Sequence, residues 1–178
     1  MMPEILTYTG KTFNYLNPTP DMICIEDIAH SISNACRYAG HCNRFYSVAQ
    51  HSIIVSSLCK DEYKLWGLLH DATEAYLVDV PTPLKPLLPG YKEIENNIMS
   101  VIAKRFGLEG YQVPKEVKKI DKQILFVERD CLFNKENILN GPVWSEESVT
   151  EKIEYEIVEI YSPYTARQTF LDEFYKLT

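Results

Sequence analysis

The sequence predicts an all-α fold, a helical bundle with a short extended or β-ribbon N-terminal arm. Apolar residues recur at intervals of three and four along successive segments, which is the spacing of a helix with one buried face. Proline and glycine separate these segments. With 178 residues and 46% hydrophobic content, the chain is large enough for one sizeable core. We therefore expect a single domain over residues 1–178.

The N-terminal arm, residues 1–20, alternates loosely between apolar and polar residues. Residues 9–11, Thr-Gly-Lys, have the composition of a hairpin turn, and residues 17–20, Asn-Pro-Thr-Pro, have that of a loop. The arm is therefore expected to be a small β-ribbon or an extended segment.

Helices are expected over most of the remaining chain. Ser47 and Gln50 form a capping box at the start of one helix, and Gly107 suits the C′ position of another. Pro114 suits the first turn of a third helix, and Pro163 opens the last. The predicted spans are about 25–36, 48–59, 61 to the prolines at 81 and 83, 91–106, 114–134, 146–161, and 163 onward.

Composition narrows the function classes. The net charge of −7 argues against binding nucleic acid polymers but leaves small anionic substrates open. No apolar run reaches the roughly 18 residues that span a bilayer, and the N-terminus lacks the features of a signal peptide. Five cysteines without Cys-x-x-Cys spacing indicate neither a disulfide framework nor a structural zinc site. We expect a cytoplasmic protein without a membrane partner.

The chemistry of the chain is concentrated in residues 68–85. His70, Asp71 and Glu74 fall in one sector of the helix expected there, next to leucines. A buried carboxylate needs a partner, and a metal ion is one of the few partners that also satisfies an imidazole. A hydrogen bond between the histidine and the aspartate, with no metal, is the ordinary alternative for such a pair.

Two further candidate ligands come from other predicted helices. His51 has Val48 and Ile54 at helical spacing, so its ring should point into an apolar seam, and Asp121 lies on the border of another apolar stripe. Alone, each has an ordinary explanation, a core histidine or an aspartate paired with a neighbouring lysine. Together they complete a set of four ligands that suits Mn²⁺, Fe²⁺, Co²⁺, Zn²⁺ or Mg²⁺: His51, His70, Asp71 and Asp121.

The polar connector before the second predicted helix carries Arg37, His41 and Arg44. These side chains could hold a phosphate group through charge and hydrogen bonds. They could equally form a solvated loop, and the residues by themselves leave the two interpretations open.

These residues carry a family resemblance. Residues 48–52 (Val-Ala-Gln-His-Ser), 69–74 (Leu-His-Asp-Ala-Thr-Glu) and 79–85 (Asp-Val-Pro-Thr-Pro-Leu-Lys) resemble the motifs of HD-domain metal-dependent phosphohydrolases, which place His…His-Asp…Asp on a helical bundle. Within that family the chain looks like the YfbR-like branch of 5′-deoxynucleotidases and phage deoxynucleoside triphosphohydrolases. The resemblance spans about residues 25–130, and it implies an HD-domain helical bundle.

The resemblance implies a role for each matching residue. It implies one divalent metal ion per subunit (Mn, Co, Zn, Fe or Mg), held by His51, His70, Asp71 and Asp121. Glu74 matches the catalytic acid, and Asp79 matches a second acid near the attacking water. Arg37 and Tyr38 match a pair that contacts phosphate and sugar, and the other expected substrate-binding residues are His41, Arg44 and Lys85. The resemblance also implies a homo-oligomer, with a dimer expected.

The implied reaction is hydrolysis of the α-phosphate ester of a deoxynucleotide by metal-bound hydroxide. The substrate is either a deoxynucleoside monophosphate, cleaved by a 5′-deoxynucleotidase, or a deoxynucleoside triphosphate, cleaved by a triphosphohydrolase. The alternatives are a non-catalytic nucleotide-binding or scaffold protein with an HD fold, and an HD phosphodiesterase that acts on a signalling nucleotide.

Overall fold

The computed structural model describes residues 3–134, 136, 138 and 153–178 of the chain. Within these residues the structure is mostly helical with one small two-stranded sheet, which confirms the predicted all-α class. The strands are β1 (Glu4–Leu6) and β2 (Thr12–Asn14). The α-helices are α1 (Ile25–Asn34), α2 (Val48–Leu58), α3 (Lys64–Leu69), α4 (Glu74–Leu77), α5 (Tyr91–Phe106), α6 (Lys115–Leu132) and α7 (Pro163–Leu177).

The N-terminal arm is an antiparallel hairpin, as the sequence predicted. β1 pairs with β2, and Ile5 lies opposite Phe13. Phe13 is fully buried in the core, which anchors the hairpin to the bundle. Asp27 in α1 fixes the turn, because its carboxylate accepts hydrogen bonds from the Thr7 hydroxyl at 2.9 Å and from the Thr9 backbone N–H at 2.6 Å.

Helix α2 lies at the centre of the bundle. It contacts α1, α3, α6 and α7, and most of its residues are buried. Ser47 caps its first turn, since the backbone N–H of Gln50 donates to Ser47 Oγ at 3.1 Å. A helix enclosed in this way carries His51 with no exposed surface, in agreement with the apolar seam that the sequence predicted.

The chain after α3 departs from the predicted continuous helix. Residues 70–73 form turns between α3 and the short α4. The backbone N–H groups of Ala72 and Glu74 each donate to a carbonyl three residues back at 3.0 Å. These are hydrogen bonds of the 3₁₀ type, which is tighter than the α-helix. Val78, at φ +61°, ends α4 before Pro81 is reached. The prediction that the prolines end this helix is therefore wrong.

The two long helices that follow agree with their predicted spans. α5 begins and ends at the predicted residues, and Gly107 closes it at φ +67°, a left-handed conformation that glycine adopts without strain. α6 begins one residue later than expected, because Pro114 occupies the N-cap position rather than the first turn. α6 also carries Asp121, one of the predicted ligands.

Residues 153–162 are not helical, so the helix predicted over 146–161 is wrong for its described part, and residues 146–152 lie outside the described residues. The side chain of Gln50 holds this segment instead. Its amide donates to the carbonyl of Glu159 at 2.7 Å, and its Oε1 accepts from the backbone N–H of Tyr161 at 2.9 Å. These bonds satisfy two backbone groups that a helix would have paired internally.

Helix α7 begins at Pro163, as predicted, and its N-cap Ser162 accepts a hydrogen bond from the backbone N–H of Thr165 at 3.1 Å. Phe170 and Phe174 attach α7 to the core that α1, α2 and α3 share. The part of the chain that the structure describes contains no helix both long and apolar enough to cross a membrane. All five cysteines are free thiols.

Candidate metal centre

Three side chains from separate parts of the chain converge on one point. His51 comes from α2, His70 directly follows α3, and Asp121 comes from α6. One ligand atom from each lies within 4.8 Å of the other two. The Nε2 atom of His51 is 3.2 Å from Nε2 of His70 and 3.2 Å from Oδ1 of Asp121. The structure thus brings together three of the four predicted ligands as a possible metal-binding cluster.

Asp71, the fourth predicted ligand, lies against the same two imidazoles. Its Oδ2 atom is 3.3 Å from Nε2 of His70 and 3.5 Å from Nε2 of His51. The turn at residues 70–73 places this carboxylate beside the neighbouring histidine rather than on a separate helical face. All four predicted ligands are therefore near neighbours, with two imidazole nitrogens and two carboxylates facing one another.

The hydrogen-bond partner of Nδ1 in each imidazole determines the tautomer, and therefore whether Nε2 faces the cluster as an acceptor. Nδ1 of His70 is 2.7 Å from the backbone carbonyl of Gly67, and a carbonyl oxygen only accepts, so that nitrogen carries the hydrogen. Nδ1 of His51 is 2.6 Å from Oε1 of Glu128, which accepts in the same way. In the neutral tautomers both Nε2 lone pairs then point at each other, beside two carboxylates. Such a set of donors repels itself unless a cation lies among them, and it fits a divalent ion.

The charges within the cluster strongly shift the pKa values of its side chains. Burial and the nearby Arg37 oppose protonation of His51, but Glu128 and Asp121 outweigh them and raise the pKa of His51 to about 9. Burial favours the neutral form of Asp71, yet His70, His51 and Arg37 hold the pKa of Asp71 far below its usual range. The cluster therefore attracts positive charge, whether protons or a metal ion.

Glu74 and Asp79, the predicted acids, have the opposite character. Glu74 is buried, and its Oε2 atom has no hydrogen-bond partner among the described residues. Burial, followed by the charges of Asp71 and Asp79, raises the pKa of Glu74 well above its usual value. Burial also raises the pKa of Asp79, with Asp71 adding to it. A buried carboxyl group with an unsatisfied oxygen beside a charged cluster is suited to proton transfer.

Two of the predicted substrate-binding residues lie directly behind the cluster. Nη1 of Arg37 is 3.5 Å from Oδ2 of Asp71, and its Nη2 is 3.0 Å from Oε2 of Glu128. The hydroxyl of Tyr38 donates to the same Glu128 oxygen at 2.5 Å. In the structure these two side chains thus contact protein carboxylates, and their contacts with phosphate and sugar stay predictions.

The other three predicted substrate-binding residues lie further out. His41 and Arg44 are exposed, and their side chains make no hydrogen bond or ion pair within the described residues. Lys85 forms an ion pair with Glu95 at 2.8 Å, and its charge also acts on Glu74, where it partly opposes the rise in the pKa of that carboxyl. The structure therefore brings Lys85 to the edge of the site and joins neither His41 nor Arg44 to the metal cluster by contact.

Sequence reasoning missed Glu128. This carboxylate has no exposed surface, although it lies on α6 among residues assigned to an apolar stripe. A signal was present, because Glu128 follows Asp121 by seven residues and therefore faces the same side of the helix. A glutamate in line with a candidate ligand and with buried Ile124 indicates a buried carboxylate that must have partners.

Comparisons with known proteins give relatives but no activity. No family model matches the chain. The chain is 48% identical over 128 residues to the uncharacterized protein YfdR of Escherichia coli (strain K12), covering 72% of this chain and 71% of YfdR. It is 36% identical over 124 residues to the uncharacterized protein RCAP_rcc00048 of Rhodobacter capsulatus, covering 64% of this chain and 63% of that protein.

Proposed function

This chain belongs to the same family as Escherichia coli YfdR, and we propose that it is a metal-dependent phosphohydrolase with an HD-domain helical bundle. The reaction is hydrolysis at the α-phosphate of a deoxynucleotide. The observation that supports this proposal best is the pair of Nε2 atoms facing each other at 3.2 Å, each on an imidazole whose Nδ1 is already committed elsewhere. That arrangement is costly in the absence of a cation and useful in its presence.

His51, His70, Asp71 and Asp121 would hold the ion. A divalent ion bound by such a set polarises a phosphoryl oxygen and lowers the pKa of a coordinated water toward neutrality. Two histidines and two aspartates are neutral and anionic donors of the kind that Mn²⁺, Fe²⁺, Co²⁺ and Zn²⁺ accept, and four protein ligands leave room for water and substrate.

Glu74 and Asp79 would move the protons. The raised pKa of Glu74 favours its protonated form, and in that form it would give a proton to the leaving oxygen. Asp79 is close enough to Asp71 for their charges to interact, and its partly exposed carboxyl can exchange protons with water. We treat the two acids as one coupled relay, since each affects the protonation of the other.

The deoxynucleotide class of the substrate comes from the resemblance of the motifs to the YfbR-like branch. Hydrolysis of a monophosphate releases inorganic phosphate, and hydrolysis of a triphosphate at the same phosphorus releases triphosphate. The anion that is released therefore identifies which of the two reactions the protein catalyses.

The test is an assay of the purified chain against all deoxynucleoside mono- and triphosphates, with Mn²⁺, Co²⁺, Zn²⁺ and Mg²⁺ in turn. Wild type should hydrolyse one class of substrate, and Asp71→Ala should hydrolyse none. Glu74→Gln should lose about 10²–10⁴-fold in kcat while still binding metal, because it removes a proton donor and leaves all four ligands in place.

The matched control is Glu93→Gln, the same substitution at an exposed position of α5, which should keep wild-type turnover. Unchanged turnover in Glu74→Gln would remove Glu74 from the reaction. Absence of turnover by wild type with every metal and nucleotide would contradict the proposed activity and favour a binding protein with the same site.

A further inference from the structure

Glu128 is a buried carboxylate with three donors around it. Its Oε1 atom faces Nδ1 of His51 at 2.6 Å, and its Oε2 atom accepts from Nη2 of Arg37 at 3.0 Å and from the hydroxyl of Tyr38 at 2.5 Å. The side chain has no exposed surface, so water cannot replace any of these partners. The two oxygens therefore bind different partners: Oε1 binds His51, and Oε2 binds Arg37 and Tyr38 of the connector.

We propose that Glu128 is a positioning residue that fixes the tautomer and the ring orientation of His51. The inference rests on the proposed metal site, and it adds a residue that the motifs of the resemblance do not include. An ionised carboxylate can only accept hydrogen bonds, so the hydrogen of His51 must lie on Nδ1. The lone pair on Nε2 then points toward His70 and Asp121, where a metal ion would bind.

Because the two oxygens bind different partners, the carboxylate has one defined orientation toward His51. Arg37 and Tyr38 both donate to Oε2 and so hold the carboxylate in one rotation, with Oε1 directed at Nδ1 of His51. Arg37 also reaches Asp71 at 3.5 Å. The same guanidinium therefore contacts Glu128, which holds His51, and also contacts Asp71, which is itself a proposed ligand. The connector that carries Arg37 and Tyr38 thus acts on the metal centre through Glu128.

A glutamine at position 128 has nearly the same shape but cannot serve all three donors. If its carbonyl oxygen faces Arg37 and Tyr38, its NH₂ group donates to Nδ1 of His51 and forces the hydrogen onto Nε2, where it blocks the metal. If the carbonyl faces His51 instead, the NH₂ group faces the charged Arg37. The first rotation serves two donors, one of them charged, and is therefore the one we expect.

The direct measurement is ¹⁵N NMR of the histidine side chains in metal-free wild type, with the pH raised until the His51 signals are those of a neutral ring. His51→Gln identifies the signals of His51 among the four histidines. We expect a neutral His51 with its hydrogen on Nδ1 in wild type and on Nε2 in Glu128→Gln. A wild-type His51 with its hydrogen on Nε2 overturns the inference without any Glu128 variant being needed.

Metal affinity gives a second readout, measured by competition of the protein with a chromophoric chelator for Co²⁺ or Zn²⁺. Glu128→Gln should bind about 10–100-fold more weakly than wild type, the usual effect of losing a partner behind a metal-bound histidine. Glu128→Asp keeps the charge and should recover part of that loss. Glu116→Gln, the same substitution at a half-exposed position of α6, should bind as wild type does.

The outcomes separate this inference from the proposed function. If wild type binds no metal, the metal site itself is wrong. If wild type and Glu128→Gln bind metal equally well, the metal site stands and the positioning role of Glu128 is wrong. A folded Glu128→Gln with an unchanged His51 tautomer and lower thermal stability would make Glu128 a purely structural residue.

Discussion

Two buried glutamates in the site show how surroundings set the role of a residue. Glu128 has a donor for each oxygen, and although burial opposes ionisation, Arg37 and His51 lower its pKa to about 2. Glu74 has carboxylates as neighbours and an oxygen without a partner, so its pKa is raised instead. The same type of side chain is therefore held as an anion in one place, while its protonated form is favoured in the other.

The first prediction concerns the stability that Glu128 supplies in acid. Its pKa is lower in the folded state, about 2, than its usual 4.5, so it stabilises the fold above pH 4.5 and this contribution is lost as the pH falls toward 2. With a chelator present to remove metal, the free energy of unfolding of Glu128→Gln should be lower than that of wild type by about 3 kcal/mol at pH 7. This difference should shrink at pH 3. Urea unfolding followed by circular dichroism measures both values.

Glu116→Gln serves again as the control, and its stability should differ little from wild type at either pH. If the difference between wild type and Glu128→Gln is as large at pH 3 as at pH 7, then ionisation of Glu128 is not the source of its stabilising effect.

At the scale of elements, the contact between α2 and α3 places His51 and His70 relative to each other. Gly67 in α3 packs against the backbone of α2, where a Cβ atom would lie 2.9 Å from Cα of Ser56. Gly67 also supplies the carbonyl that accepts from Nδ1 of His70. The distance between these two helices therefore controls how His70 is oriented relative to His51.

The second prediction is that Gly67→Ala destabilises the protein although it replaces glycine inside a helix. Helix propensity alone would favour alanine by about 1 kcal/mol, but the new methyl group meets backbone that cannot move independently, and overpacking costs about 1–3 kcal/mol. The substitution should also weaken Co²⁺ binding, because α3 must shift and His70 with it. Urea unfolding and the chelator competition measure the two effects.

Asn96→Ala, at an exposed position of α5, is the control and should change stability by less than about 0.5 kcal/mol without affecting the metal. A Gly67→Ala protein that is more stable than wild type would show that α2 and α3 can separate freely at this contact.

At the scale of the whole molecule, the proposed ion would connect three parts of the chain that are far apart in sequence. Its ligands would come from α2, from the turn after α3 and from α6, and His70 and Asp121 are 51 residues apart in sequence. Two carboxylates and two imidazoles already face each other there, so a cation removes repulsion as well as adding bonds. The bundle should therefore be more stable with the ion than without it.

The third prediction is that metal raises the melting temperature. Free metal at 100 times its dissociation constant stabilises the folded state by about 2.7 kcal/mol, which corresponds to about 5–10 °C for a chain of this size. Differential scanning fluorimetry with Mn²⁺ or Co²⁺, against chelator, measures the shift. His70→Gln should lose most of it, because the variant lacks one ligand.

His30→Gln is the matched control, since His30 stacks on Tyr8 at a ring distance of 3.9 Å and takes no part in the cluster. Whatever the melting temperature of this variant without metal, its rise on adding metal should equal that of wild type. Equal shifts in His70→Gln and His30→Gln would mean that the stabilising ion binds elsewhere.

Much of the fold could be predicted from the sequence, because helix periodicity and end signals are local. The span of α5, the hairpin with its glycine turn, the cap of α2 and the start of α7 all depend on residues close together in the chain. The four candidate ligands could also be named, since imidazoles and carboxylates next to apolar residues need partners wherever the chain folds.

What the tertiary structure alone decided depends on partners that are distant in sequence. The break after α3 and the non-helical segment at 153–162 follow from contacts with the rest of the bundle, among them the bonds that Gln50 makes to Glu159 and Tyr161. The role of Glu128 depends on Arg37, Tyr38 and His51, which lie 77–91 residues earlier in the chain. A local pattern can show that a buried carboxylate needs donors, but only the packing of the helices determines which donors reach it.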